Sequence, residues 1–250
     1  LDASVIGQAS HREIARQAVR ESLVLLKNND NTLPLKADQN ILVAGAAADD
    51  IGQQSGGWTI TWQGTGNQNS DFPGGQSILD GLQMMAEKNG AKIQFSITGE
   101  FSDRPDVAVV VFGETPYAEG QGDIDSLNYG ASDAYSVALL QRLKSQGIPT
   151  IAIFLTGRPM WINPELNNSD AFVVAWLPGT EGLGVAEVLF AEPGTVTDFK
   201  GRLPFNWPSI DTDPRDPDQP VTSVLFPYGY GLTHGETTST RNDINAQQVL

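Results

Sequence analysis

Short runs that are almost wholly apolar alternate along this chain with segments whose apolar residues recur every three or four positions. Ile41–Ala46, Val107–Phe112, Thr150–Leu155 and Ala171–Trp176 are such runs. Their lack of polar alternation is expected of parallel strands covered on both faces. Lys92–Ile97 is a weaker strand of the same kind. Between them the spacing predicts helices over Ser77–Asn89, Ser132–Gln146 and Glu181–Phe190. The first two are followed by Gly90 and Gly147, which suit a left-handed cap. A further helix is predicted from Ser10, opened by a Ser10/Glu13 capping box. Ile14, Ala15, Ala18, Val19, Ser22, Leu23 and Leu26 form its buried face, and Asn28–Asn31 ends it. The alternation of strand and helix predicts an α/β fold, a three-layer αβα sandwich around a mostly parallel, doubly wound, flavodoxin-like sheet. From Pro208 the composition changes. Asp211–Pro220, rich in Asp and Pro, is expected to be a surface excursion. The apolar, glycine-rich Phe226–Leu232 is expected to pack back onto the body, and the polar residues from Gly235 read as a tail or a linker onward.

Composition narrows the function. Among 250 residues the formal net charge is −15, a surface that repels nucleic-acid phosphates and anionic lipid. Neutral substrates such as sugars are compatible with it. No apolar run approaches the ~20 residues that cross a bilayer, and no secretory leader opens the sequence. With no cysteine there is neither a disulfide nor a thiolate metal site. The acidic, cysteine-free composition suits a periplasmic or secreted protein.

In open α/β sheets ligands bind beyond the carboxyl ends of the strands, and four loops leave those ends here. They are Ala47–Gly64, with Trp58 and Trp62; Gly113–Asp125, with Glu114, Tyr117 and Glu119; Thr156–Pro159; and Pro178–Glu181. Indole faces stack on the apolar C–H faces of pyranose rings, and glycoside cleavage needs a carboxylic acid at the leaving oxygen with a second carboxylate opposite. Two tryptophans four residues apart also suit core or hairpin packing, but the glycines crowding both flanks favour an exposed loop. Asp49, Asp50, Asp123 and Asp125 lack EF-hand spacing and read as solvated turns rather than a metal site. Arg158 is expected to pair with a rim carboxylate. Trp161, Trp176 and Trp207 are expected to pack in the interior.

These residues resemble a known family. Ser10–Leu35, with Ser22-Leu23-Val24-Leu25-Leu26-Lys27-Asn28 and Leu33-Pro34-Leu35, is similar to the start of the second domain of glycoside hydrolase family 3. Gly57–Gly64 and Gly113–Asp123 resemble its glucan exohydrolase and β-glucosidase branch. Gly201-Arg202-Leu203-Pro204 and Phe226–Leu232 resemble its closing motifs. The resemblance covers Ser10–Thr233. It implies residues 1–9 as an interdomain linker, 10–208 as the sandwich domain carrying an acid/base loop, and 209–250 as the excursion and returning segment. It implies a retaining, exo-acting β-glucosidase that releases glucose from β-glucans or cello-oligosaccharides, in partnership with an N-terminal (β/α)8-type barrel bearing the nucleophilic aspartate. By motif position Glu119 is the general acid/base. Trp62 is this domain's half of an aromatic sugar clamp, with Trp58 beside it and Glu114 as a sugar-hydroxyl or structural contact. The chemistry needs no metal or organic cofactor. Without the barrel, the chain alone is expected to be nearly inactive.

An acid that later serves as base should have its pKa raised toward the working pH. Repulsion from Glu114 and burial by the barrel are the expected causes. Glu114 is the other candidate for the acid/base itself. Rival functions remain in view. A non-catalytic sugar-binding module would use the same tryptophans, and β-xylosidase specificity lies within the same family. A nucleotide or flavin domain is disfavoured because Ala44–Ala48 is no phosphate-cradling loop. An α/β-hydrolase is disfavoured because no G-x-S-x-G elbow exists and the only histidines are His11, assigned to the capping box, and His234, which has no evident partner.

Overall fold

The computed structural model describes residues 5–131, 133–191, 194–210 and 224–236. The expected excursion at Asp211–Pro220 and the tail beyond residue 236 lie outside the described residues. Five strands run parallel: β2 (Asn40–Ala44), β3 (Lys92–Ser96), β4 (Val107–Gly113), β5 (Thr150–Leu155) and β6 (Ala171–Trp176). A sixth, β1 (Val24–Asn28), joins β6 antiparallel, giving the order β1-β6-β5-β4-β2-β3. The parallel strands therefore follow the doubly wound 2-1-3-4-5 order. Every predicted strand is present, with Ile41–Ala46 ending early at Ala44 because Gly45 turns the chain at φ 93°. A Cβ on Gly45 would lie 2.1 Å from the Val111 carbonyl oxygen, so only glycine lets the chain leave β2 this close to β4.

Helices α1 (Ala9–Ser22), α3 (Ile78–Asn89) and α6 (Gly182–Leu189) cover one face of the sheet. The short α2 (Ile51–Ser55) lies on the rim. Helices α4 (Ala134–Ser145) and α5 (Asn163–Asn167), with the short antiparallel pair β7 (Trp207–Pro208) and β8 (Val224–Phe226), cover the other. Alternate strand residues divide between the two cores: Ile41, Val43, Val109 and Ile153 face α3 and α6, while Leu42, Val110, Phe154 and Phe172 face α4. On the α4 side Phe112, Tyr129, Phe154 and Phe172 interlock, with ring centroids 4.9–6.2 Å apart. Each such fully buried ring stabilises the fold by roughly 1.5–3 kcal/mol. Trp161 and Trp207 are buried and donate to the backbone carbonyls of Ser209 and Met160. Leu232 and Tyr230 reach back to β1 through the Leu25 and Leu26 carbonyls, so the returning segment lies on the body.

The N-terminal helix departs from expectation. It begins at Ala9 after Gln8, without a side-chain cap, so the Ser10/Glu13 box does not form. Glu13 instead pairs with Arg16 and Arg20. The helix stops at Ser22, and Leu26 belongs to β1. The run from Leu23 to Leu26 carries no polar interruption; the sheet edge beside β6 satisfies its backbone and buries both of its faces. Ile14, Ala15 and Ala18 are exposed, and Val19 alone of the predicted helical face is buried within the helix. Charge holds α1 in place: Arg12 and Arg16 lie 2.9 and 3.3 Å from the buried Glu181 carboxylate, and Arg20 pairs with Glu187 at 2.5 Å. His11 is exposed. His234 has a partner after all: it is buried, with its Nε2 2.9 Å from the Val188 carbonyl oxygen.

Candidate active site

Because β2, β4, β5 and β6 run parallel, the four loops at their carboxyl ends share one rim. The strand order reverses between β2 and β4, where a doubly wound sheet opens a crevice. The loops after those two strands carry the candidate residues. Helix α2 starts the first loop, capped by Asp50, whose carboxylate accepts the Gln53 N–H at 2.8 Å. The Gln53 amide then donates to the carbonyls of Gly113 and Glu114 at 2.9 and 3.0 Å, tying this loop to the end of β4. Gly57 passes so near the second loop that a Cβ there would lie 1.9 Å from the Tyr117 carbonyl oxygen.

Beyond Gly57 the chain makes a tight tip. Trp58 donates its N–H to the Trp62 carbonyl at 2.9 Å, and the Asn67 amide donates to the carbonyls of Thr59 and Gly64. Trp58 and Ile60 sit at φ 61° and 60°, a region that bulky side chains enter only where the surroundings over-determine it, often at ligand clamps. The result is an aromatic crest. Trp58 and Trp62 are 68% and 58% exposed, their ring centroids 6.2 Å apart and tilted by 43°. Exposure of this extent excludes core packing for the pair, while the Trp58–Trp62 backbone bond and the neighbouring rings keep a hairpin-like contact between them. A cleft of about 250 Å³ lies behind the crest, between Trp58, Tyr117, Glu114 and Leu177.

Glu119 stands on the facing loop, exposed. The Trp62 indole N–H donates to its Oε2 at 2.9 Å. That hydrogen bond, with others from backbone and Trp58, holds the Glu119 carboxyl below the usual carboxylate range. This direction is opposite to the elevation expected of an acid. The physical reason is plain: the donors stabilise the ionised form, and little burial opposes them.

Glu114 does not act as a repulsive neighbour either. Its Oε1 lies 2.9 Å from Arg158 Nε, and its Oε2 accepts from Thr156 Oγ1 at 2.7 Å, with Tyr117 Oη and the Gly157 N–H each at 3.4 Å. Arg158 also donates to the Gly122 carbonyl and covers the Tyr117 ring at 3.8 Å. Burial, then the Glu114 charge, push the Tyr117 phenol up to about 12, so it stays a neutral donor. Glu114, Arg158 and Tyr117 therefore form a compensated floor that joins the second and third loops.

The structure thus brings Trp58, Trp62 and Glu119 together and sets Glu114 beneath them in a different setting. Sequence reasoning missed Gln53 and Gln63, whose amides link the loops. Gln63 follows Trp62 directly and precedes Gly64, and that adjacency was its only signal. Among the described residues no group of three or more His, Asp or Glu is placed to hold a metal ion.

Residues 23–234 match the glycosyl hydrolase family 3 C-terminal domain. A lysosomal β-glucosidase of Dictyostelium discoideum is 37% identical over 92% of this chain and 30% of its own length. A periplasmic β-glucosidase of Salmonella typhimurium is 29% identical over 94% of the chain and 36% of its own. The crystal structure of an exo-1,3/1,4-β-glucanase from a Pseudoalteromonas species superposes with a TM-score of 0.90 at 48% identity, over 98% of this chain and 31% of that one. A β-glucosidase from Listeria innocua shares the fold at 22% identity, with a TM-score of 0.71. The chain thus spans about a third of the length of the relatives it matches. This chain belongs to glycoside hydrolase family 3, whose C-terminal α/β domain it forms.

Proposed function

We propose that this domain supplies the general acid/base, Glu119, to a retaining, exo-acting β-glucosidase or β-glucan exohydrolase whose nucleophilic aspartate lies on an N-terminal barrel domain. The observation that carries this reading is the 2.9 Å hydrogen bond from Trp62 Nε1 to Glu119 Oε2. It fixes a carboxylate beside an exposed aromatic crest at the switch point of the sheet. The crest stacks the sugar that follows the scissile bond, and Trp58 extends it. Glu114 shapes the floor below.

In the first step the barrel carboxylate attacks the anomeric carbon while Glu119 gives its proton to the departing oxygen. In the second, Glu119 takes a proton from the attacking water. The two carboxyls stand about 5–5.5 Å apart in such enzymes. In this domain alone Glu119 is ionised and ready as the base. Docking of the barrel would bury it and set an anion beside it, and both effects favour the protonated acid. Once the nucleophile becomes a neutral ester, that anion is gone. The Trp62 N–H then favours the ionised base that the second step needs.

The relatives' names include glucosidases, an exo-1,3/1,4-glucanase and a β-xylosidase of Formosa agariphila that is 27% identical. β-Glucans and cello-oligosaccharides are the proposed substrates. Comparing aryl β-glucoside with aryl β-xyloside hydrolysis separates the two specificities. A periplasmic or secreted location accords with the Salmonella relative. No helix among the described residues is long and apolar enough to cross a membrane.

The decisive experiment is Glu119→Ala in the barrel-containing protein, assayed on cellobiose and on an activated aryl β-glucoside, with and without azide. Loss of cellobiose turnover by about 10²–10⁴-fold, a milder loss of the glycosylation step on the activated substrate, and formation of β-glucosyl azide are expected. Unchanged rates on both substrates would overturn the reading. A second reading, a sugar-binding module without catalysis, draws on the exposure and ionised state of Glu119, which suit an acceptor for sugar hydroxyls. That reading predicts that Glu119→Gln leaves function intact.

A further inference from the structure

We propose that Gln63 is the positioning residue for Glu119, an inference that rests on the acid/base role proposed above. Its side-chain amide grips the backbone on both sides of the Glu119 Cα. Gln63 Oε1 accepts the Ala118 N–H at 2.6 Å, and Gln63 Nε2 donates to the Glu119 carbonyl oxygen at 3.0 Å. The neighbouring Trp62 holds the carboxylate itself. Two consecutive residues thus fix Glu119 at its carboxylate, at its own carbonyl and at the preceding N–H.

The need for such a grip follows from the loop. Glu119 is exposed and is followed by Gly120, at φ 86° with open space around it. The second loop is braced further along, where Gly122 donates to the Ala118 carbonyl and Arg158 binds the Gly122 carbonyl. The first of those contacts closes the turn that contains φ and ψ of Glu119 from its far side. The Gln63 amide adds the near-side restraint, because the 118–119 backbone between its two hydrogen bonds cannot turn freely while both are kept. The task requires an acceptor and a donor on one planar group at this reach. Glutamate lacks the donor, methionine lacks both, and asparagine is one carbon short. A proton donor displaced by about an ångström from its reacting oxygen loses much of its rate.

The test is a double-mutant cycle in the barrel-containing protein. Gln63→Met, which keeps the side-chain volume, and Gln63→Glu, which keeps the acceptor, are each made with Glu119 intact and in a Glu119→Ala background. Thermal unfolding is followed in parallel. On cellobiose, Gln63→Met is expected to lower kcat about 10–100-fold with KM within about twofold, and Gln63→Glu to lose less. Neither should reduce the residual rate of the Glu119→Ala protein further, because a residue acting through Glu119 has nothing left to position. Two outcomes would overturn the assignment: kcat within about twofold of the parent, or an equal loss in both backgrounds. The latter is what a role in shaping the tryptophan crest alone would give. If Glu119→Ala itself leaves cellobiose turnover unchanged, the acid/base reading fails first. That result differs from a cycle in which Glu119→Ala abolishes turnover and Gln63→Met does nothing.

Discussion

Glu114 and Glu119 lie five residues apart on one loop, yet one belongs to the floor of the rim and the other to its crest. At the strand end, Glu114 meets the Arg158 guanidinium, the Thr156 hydroxyl and the Tyr117 phenol, so each oxygen has a partner within the chain. On the crest, Glu119 meets an uncharged indole N–H and the solvent. A fixed cation on one oxygen and a hydroxyl on the other commit the Glu114 carboxylate to bracing the loops. Neutral donors, the Trp62 indole first among them, orient the Glu119 carboxylate and leave protonation within reach of whatever docks there. Under the proposed reading, the second glutamate serves acid/base work because no cation is fixed beside it, and the first serves bracing because one is.

The sharpest way to break this comparison is activity. In the barrel-containing protein, Glu119→Gln should cost about 10²–10⁴-fold in cellobiose turnover. Glu114→Gln should show its main effect in stability. A larger catalytic loss for the Glu114 variant would reverse the two roles.

Stability tests the floor directly. Arg158→Ala leaves the Glu114 carboxylate largely covered and uncompensated, and should lower unfolding free energy by about 2–3 kcal/mol, somewhat less than for a fully buried pair. Urea denaturation of the chain measures it. Arg158→Ala combined with Glu114→Gln should recover part of the loss, since no bare charge remains.

A third carboxyl sharpens the contrast. Glu165 on α5 is fully buried, and neither carboxyl oxygen has a hydrogen-bond partner among the described residues. Burial, then the Asp133 charge, raise it from 4.5 to about 7. A folded-state pKa above the unfolded value means that its contribution is full at low pH and is lost as pH rises through about 7. Between about pH 5 and pH 8 the chain should lose roughly 2 kcal/mol relative to a Glu165→Gln variant. Parallel urea titrations at the two pH values show whether it does.

The smallest effect is the most local. Trp62→Phe keeps the ring on the crest and removes the N–H that is the largest cause of the lowered Glu119 pKa. The Glu119 carboxyl should therefore titrate at higher pH in the variant chain, as read from its carboxyl carbon resonance. An unchanged titration would mean that the indole does not govern its charge.

Much of this was legible in the chain itself. The uninterrupted apolar runs at Val107–Phe112, Thr150–Leu155 and Ala171–Trp176 announce buried parallel strands because burial on both faces leaves no place for polar alternation. The same reasoning misplaced Leu26, because four consecutive apolar residues satisfy helical and strand spacing equally. Capping signals divided in the same way. The box expected at Ser10 lies inside α1, where Glu13 is taken by arginines, while a box the sequence reading did not single out forms between Ser77 and Asp80, in front of a helix docked on the core. At the site, the glycines around Trp58 and Trp62 marked an exposed loop, and motif order singled out Glu119.

The sequence by itself therefore determined the layers, the rim and the residue types gathered on it, because periodicity, glycine placement and charge are local properties. Only the tertiary structure decided that β1 closes the sheet antiparallel, that Glu114 is the rim carboxylate Arg158 meets, and that Trp62 and Gln63 hold Glu119. Those contacts join residues separated by 44 to more than 140 positions in the chain. No local pattern encodes such a distance. It is set by which strands pair and by how closely Gly45 and Gly57 let the loops approach.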